Sequence, residues 1–186
     1  MNIFISGGCK NGKSFYAQRL AKAQQTKKLY YIATMKPVDY EDVERITRHR
    51  AERAGWGFTT IEEHNHIENI LHSCDHGGSF LIDSLTALLA GKMFPPSGGV
   101  NEQAAGEIAT GLSKITETLK NVVLVSDYIY SDAFIYDPLT EKFRRSLAEL
   151  DRIAAKSFDI VLEVTFAETI VHKGKKALEE LYEKAV

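Results

Sequence analysis

"FISGGCKNGKSF", residues 4–15, decides how the rest of the chain is read. An apolar run breaks into Gly7 and Gly8, and Gly12 stands directly before Lys13 and Ser14. Gly7, Gly12, Lys13 and Ser14 satisfy G-x-x-x-x-G-K-[ST]; the block follows a strand-like run and opens a helix-like one, the context a P-loop requires. Glycines let the backbone turn with positive φ so that successive N–H groups point inward, and the helix N-terminus adds partial positive charge. The spacing predicts that Gly7, Gly8, Cys9, Lys10, Asn11 and Gly12 wrap the phosphates of a nucleoside triphosphate. Lys13 is then expected to reach the β- and γ-phosphates, and Ser14 to offer its hydroxyl to Mg²⁺. The ordinary alternative is a Gly-rich strand-to-helix turn.

Outward from this block, short apolar runs alternate with helical segments. Strands are expected at 2–6, 28–33, 58–62, 79–83, 122–126 and 159–165, where Val, Ile, Leu, Phe and Tyr run almost without interruption. Helices are expected at 13–25, 39–54, 66–73, 101–119 and 138–157, and the charged stretch "KGKKALEELYEKAV" at the end reads as one more. Continuous apolar runs suit strands buried on both faces, and parallel neighbours need crossover connections. The fold class is therefore α/β, P-loop NTPase-like, a mainly parallel sheet with helices on both faces. The loops "FPPSGG" (94–99) and "YIYSDAFIYD" (128–137) are too short to be interdomain linkers, so residues 1–186 are expected to form a single nucleotide-binding domain.

The chain has 186 residues, 44% hydrophobic and 26% charged, with a formal net charge of -2, enough for one well-buried core and without a basic field for nucleic acid or an anionic membrane. The N-terminus reaches a glycine turn by Gly7, and no apolar stretch approaches the roughly 18 residues of a membrane span, so a cytoplasmic protein is expected. Cys9 and Cys74 are far apart and in no metal-ligand spacing; reduced thiols are the plain reading.

"SFLIDS" ends in Asp83 after three apolar residues, where a P-loop protein commonly places a carboxylate to position its metal; Asp83 could equally cap the next helix. "VVLVSD" puts Asp127 in a similar place one strand later. In residues 31–63, Glu41, Arg45 and His49 recur every four residues on one helix face, with Arg48, Arg50 and Arg53 nearby. Those cations suit an anionic ligand, and a neutral imidazole can attack phosphorus. Spacing alone leaves a solvated charged helix face as the ordinary reading.

The P-loop "GGCKNGKS", the strand "YIAT", then Asp39, Glu41, Arg45-Ile46, His49-Arg50, Arg53, Trp56 and "TTIEE" resemble the adenosylcobinamide kinase/adenosylcobinamide-phosphate guanylyltransferase family of cobalamin assembly. The resemblance covers about the first third of the chain. It implies a bifunctional enzyme that phosphorylates adenosylcobinamide with ATP or GTP and then transfers GMP from GTP to the product. His49, by its place in the R-I-x-x-H block, would become covalently guanylylated. Lys13 is the other expected catalytic residue; Arg45, Arg50, Arg53, Glu63 and Asp83 are expected around the nucleotide with the P-loop, and Ser14 and Asp83 at Mg²⁺. The resemblance also implies a trimer with the guanylylated helix near a neighbouring subunit. After the fifth strand the family usually shows Asn-Glu-Val-Gly, where this chain reads "SDYIYSDAFIYDP"; near the end "TFAETIVHKG" replaces a small Gly-rich turn. A plain P-loop kinase acting on another hydroxylated substrate, and a nucleotide-dependent binding or regulatory protein, are the rival readings.

The remaining singular residues read as structural. His64, His66, His72 and His76 are close in sequence but in no metal-binding pattern. Trp56 and the tyrosines at 30, 31, 128, 130 and 136 are expected to be packing anchors, with the group at 128–136 also placed near the active edge.

Overall fold

The computed structural model describes residues 1–166 and 168–184, with all their side chains except those at positions 45, 52 and 184. Strand β1 (Ile3–Gly7) leads through the glycine block into helix α1 (Lys13–Ala23). Then follow β2 (Leu29–Ala33), α2 (Tyr40–Glu52), β3 (Phe58–Glu62), a 3-10 turn (Ile67–Asn69) running into the single-turn α3 (Ile70–Ser73), and β4 (Ser79–Asp83). The second half comprises α4 (Leu85–Met93), α5 (Ala104–Thr118), β5 (Val122–Asp127), α6 (Pro138–Ser157), β6 (Ile160–Thr165), β7 (Glu168–Lys173) and α7 (Lys175–Lys184).

The strands form one seven-stranded sheet in the order β3-β2-β4-β5-β1-β6-β7. β1 to β6 run parallel, and β7 pairs antiparallel with β6. Side chains alternate across the pleat. On one face, Phe4, Ile82 and Leu124 pack under α4, α5 and α6 through Leu88, Leu112 and Leu147; on the other, Ile5, Leu81 and Val125 meet Leu20 of α1 and Leu178 of α7. This is the expected α/β, P-loop NTPase-like arrangement of helices on both faces of a mainly parallel sheet.

Two elements were not expected, and one strand differs in character. In helix α4, which follows Asp83, Leu85, Leu88, Leu89, Lys92 and Met93 are buried, and the opposite side is Thr86, Ala87, Ala90 and Gly91, so its sequence lacks the charged face that marks an amphipathic helix. Its N-cap is Ser84, whose hydroxyl accepts the Ala87 N–H at 3.2 Å. Strand β7 alternates exposed and half-buried residues over 168–172 at the sheet edge, in the segment where the sequence suggested only an altered turn. β3 is likewise a half-exposed edge rather than a strand buried on both faces. The other boundaries agree with expectation to within a few residues, except that 66–73 splits into the 3-10 turn and α3.

Tyr30 and Tyr31 are packing anchors, Tyr30 stacked on Phe80 with centroids 5.2 Å apart. In α6, Asp151 is 5% exposed and its Oδ2 accepts the Tyr130 hydroxyl at 2.7 Å, tying the 128–137 loop to the helix. Burial pushes the Asp151 carboxyl up to about 6, the Tyr130 hydrogen bond offsets part of this, and the charge of Asp127 adds to it. Between about pH 4 and pH 6 the folded protein therefore keeps a proton that the unfolded chain has lost. Stability contributed by the neutral carboxyl falls as pH rises through that window. Asp151→Asn is expected to raise unfolding free energy by ~2 kcal/mol at pH 8 and by almost nothing at pH 4. Urea melts at the two pH values test this; an equal effect at both would contradict it.

Candidate active site

The sheet order places the carboxyl ends of β4 and β5 beside the glycine block that follows β1, outside which parallel sheets bind ligands. Register aligns Gly7 with Asp127, and Asp83 with Val125 and Ala33. Gly7 has no room for a side chain: a Cβ would strike the Val164 backbone carbonyl and the Asn11 amide, two groups that are themselves hydrogen-bonded to each other. Gly12 caps α1 at φ 89°, and Lys10 also takes a left-handed φ of 57°, so the 8–12 backbone makes the tight curl that a P-loop needs. Gly7→Ala is expected to lower the melting temperature and weaken triphosphate binding at least about tenfold, because the backbone carbonyl has nowhere to go. Thermal melts and calorimetry check both effects.

Lys13 is 5% exposed, and its ammonium donates to the Gly8 carbonyl at 3.0 Å and pairs with the Asp127 carboxylate at 2.6 Å. Asp127, a secondary candidate in the sequence, is thus the direct partner of the P-loop lysine. A cleft of about 930 Å³ lies over the loop, lined by Cys9, Lys10, Asn11, Gly12, Lys13 and Ser14, by Asp83 and Asp127, and by Glu41, Arg48 and His49 of α2.

Helix α2 is capped by Asp39, which accepts the Asp42 N–H at 2.9 Å, while the Asp42 carboxylate accepts the Val38 N–H at 3.0 Å. Most of its residues are exposed, so the helix stands largely clear of the sheet and over the active edge. His49 is half-buried and borders two spaces: the P-loop cleft on one side, and on the other a cavity of about 230 Å³. Asp83 and Ser84 share that boundary. The cavity has apolar walls from Met35, Pro37, Val43 and Ile46, and polar groups from Arg50, Arg53, Glu62 and His64.

Burial pushes the Asp83 carboxyl above the usual carboxylate range. The Tyr31 hydroxyl, donating to Asp83 Oδ2 at 3.0 Å, and the charges of His49 and Arg53 oppose that rise; Asp127 adds to it. The Arg53 guanidinium lies 3.4 Å from the Tyr31 ring centroid, is 7% exposed overall, and its Nη1 has no hydrogen-bond partner among the described residues. A buried cation with an unfilled donor beside an imidazole suits a phosphate ligand. Arg50 donates to Glu62 at 2.9 Å on the same wall.

The expected site residues Cys9, Lys10, Asn11, Gly12, Lys13, Ser14, His49, Arg50, Arg53 and Asp83 therefore line the cleft or the cavity, whereas Gly7 and Gly8 line neither. Glu63 is absent from both linings; its carboxylate accepts the backbone N–H groups of Asn65 and His66 at 3.1 and 2.9 Å and the Asn69 amide at 3.0 Å, closing the turn after β3. These bonds hold its carboxyl low against the opposing effect of burial. The Arg45 side chain lies outside those described. Sequence reasoning passed over Tyr31 and His64 as site residues. Tyr31 sits in "YIAT" with no polar pattern, and His64 was masked by three neighbouring histidines that are exposed. Among the described residues, no group of three or more His, Cys, Asp or Glu side chains is arranged to hold a metal. No described helix is long and apolar enough to cross a membrane.

Among solved structures, the flagellar accessory protein FlaH from Methanocaldococcus jannaschii matches 92% of this chain over 77% of its own, at 16% identity and a TM-score of 0.52. A prototypical ATPase from the type III secretion system of pathogenic bacteria matches 99% of this chain over 61% of its own, at 13% identity and a TM-score of 0.50. These likenesses concern the fold alone. No curated protein matches the chain. The profile of the CobU family, described as cobinamide kinase / cobinamide phosphate guanyltransferase, matches residues 3–168, from the first strand through the P-loop, α2 and both acidic strand ends to the start of β7. The chain thus belongs to the CobU family of cobinamide kinase/guanyltransferases, enzymes of cobalamin biosynthesis.

Proposed function

We propose that the chain, as one catalytic unit, carries out both transfers on adenosylcobinamide, and that the second proceeds through a guanylylated His49. The observation that carries this reading is the shared boundary: His49 and Asp83 face the P-loop cleft on one side and the cationic cavity on the other.

In the kinase step, the terminal hydroxyl of the corrinoid attacks the γ-phosphorus of ATP or GTP; the bond from that phosphorus to the bridging oxygen breaks, the nucleoside diphosphate leaves, and the hydroxyl proton passes to solvent water. Catalysis is mainly positioning and charge neutralisation, supplied by the P-loop amides and Lys13. Lys13 would exchange its Gly8 contact for phosphate oxygens, while Asp127 continues to hold the ammonium. The oxygen donors fit magnesium: Ser14 and Asp83 both line the cleft and are hard ligands of the kind Mg²⁺ takes together with phosphate and water. Bound there, Mg²⁺ would neutralise charge on the transferred phosphate.

In the guanylyl step, an imidazole nitrogen of His49 attacks the α-phosphorus of GTP. A P–N bond forms, the bond to the bridging oxygen breaks, and pyrophosphate leaves. A phosphate oxygen of the corrinoid phosphate then attacks the same phosphorus, the P–N bond breaks, and the imidazole is released. Arg53, with its unfilled donor, and Arg48 at the cleft are placed to hold the phosphates; Arg50 can do so on leaving Glu62. The apolar part of the second cavity would take the nucleotide base. The reading also has the protein work in the cytoplasm as a homotrimer, for which α2, standing clear of its own sheet, would offer a face to a neighbouring subunit.

The test is product analysis with purified protein, Mg²⁺, GTP and adenosylcobinamide. The proposal expects a corrinoid phosphate first and its GDP-linked product second. Accumulation of the phosphate alone would leave a plain kinase; consumption of neither substrate would leave a binding protein.

A further inference from the structure

His64 lies where the chain turns out of β3, and the Glu63-closed turn fixes its backbone. Its Nδ1 is 3.2 Å from the Thr34 carbonyl. Thr34 is itself buried and held, its hydroxyl donating to the Ser84 carbonyl and accepting the Ser84 N–H, both at 2.7 Å. A carbonyl can only accept, so Nδ1 carries the proton and Nε2 of the neutral ring presents a lone pair. That Nε2 is 3.9 Å from Glu62 Oε2, too far for a hydrogen bond between them. Glu62 Oε1 is meanwhile engaged by Arg50 at 2.9 Å. The result is a pair of neighbouring acceptors, Glu62 Oε2 and His64 Nε2, on the wall of the cavity that His49 borders.

We propose that His64 is a specificity-determining residue, forming with Glu62 a double-acceptor edge that selects guanine over adenine. Guanine offers two adjacent donors, N1–H and the 2-amino group. Adenine offers a lone pair at N1 and no 2-amino group, so it sets acceptor against acceptor and leaves both protein atoms unpaired. Glu62 is more than half exposed and can turn to water, so the rejection rests on the acceptor–acceptor repulsion and on the largely covered His64 Nε2 losing its partner. The inference rests on the proposed placement of the nucleotide base in this cavity.

Calorimetric titration of the full chain with GMP, AMP and 1-methyl-GMP tests it. The wild-type protein is expected to bind GMP at least about tenfold more tightly than AMP, with 1-methyl-GMP, which lacks the N1 proton, as weak as AMP. His64→Leu should cut the GMP/AMP ratio to a third or less by weakening GMP, whereas His64→Gln, whose amide oxygen can accept, should keep most of it. Equal binding of GMP and 1-methyl-GMP by the wild type overturns the inference, whether or not the variants fold. An unchanged ratio in folded His64→Leu overturns it as well. Neither measurement needs His49 to react: guanylylation with no base preference would defeat this inference alone, and base preference without guanylylation would defeat only the covalent mechanism.

Discussion

Replacing His49 with alanine is expected to abolish incorporation of GMP into the protein and formation of the GDP-linked corrinoid, a loss limited only by assay background. No other described side chain on the boundary between cleft and cavity offers a comparable nucleophile: Asp83 is hydrogen-bonded to Tyr31 and Ser84 Oγ caps α4. Phosphoryl transfer does not use the imidazole as a nucleophile and should fall far less, so the corrinoid phosphate should accumulate. Product chromatography from the two proteins under identical conditions measures the separation. Retained GDP-linked product in His49→Ala would remove the histidine from the mechanism.

Lys13→Met is expected to lower phosphoryl transfer by about 10²–10³-fold, the size of effect seen when one preorganised donor is removed from a transition state. The variant also strips Asp127 of the partner that holds it at 2.6 Å in a largely buried setting, so some loss of stability is expected. The two effects can be separated. Adding Asp127→Asn to Lys13→Met removes the uncompensated charge and should recover melting temperature without recovering turnover. If the double variant regains activity together with stability, Lys13 acts through the fold and not on the phosphate.

How much of this was legible in the sequence follows from the range of the interactions. The P-loop and the carboxylate ending β4 could be read because each lies within one local pattern, a glycine spacing or an apolar run with an acid at its end. Helix α4 could not, since Lys92 falls among its buried positions and its other face is Thr86, Ala87, Ala90 and Gly91, so no charged face marks it. β7 could not because its pairing depends on a hairpin with β6 rather than on a continuous apolar run. At the site, Arg53 over Tyr31 joins residues separated by α2 and the loop before it, and Tyr31 meets Asp83 because β2 and β4 are neighbours in the sheet. His49 was distinguishable from a solvated helix residue only through the family resemblance. Its position between two cavities supplies the physical reason that helical spacing lacked. Glu63 shows the reverse, since an acid in a family-like block proved to be engaged in closing a turn.

The central claim is that His49 carries the guanylyl group. Incubating the protein with Mg²⁺ and GTP, measuring intact mass, and mapping the modified peptide tests it most directly. The account predicts one added GMP per chain, on the peptide containing His49, labile to acid as a phosphoramidate is, and absent from His49→Ala. No added mass, or the same added mass in His49→Ala, would contradict it.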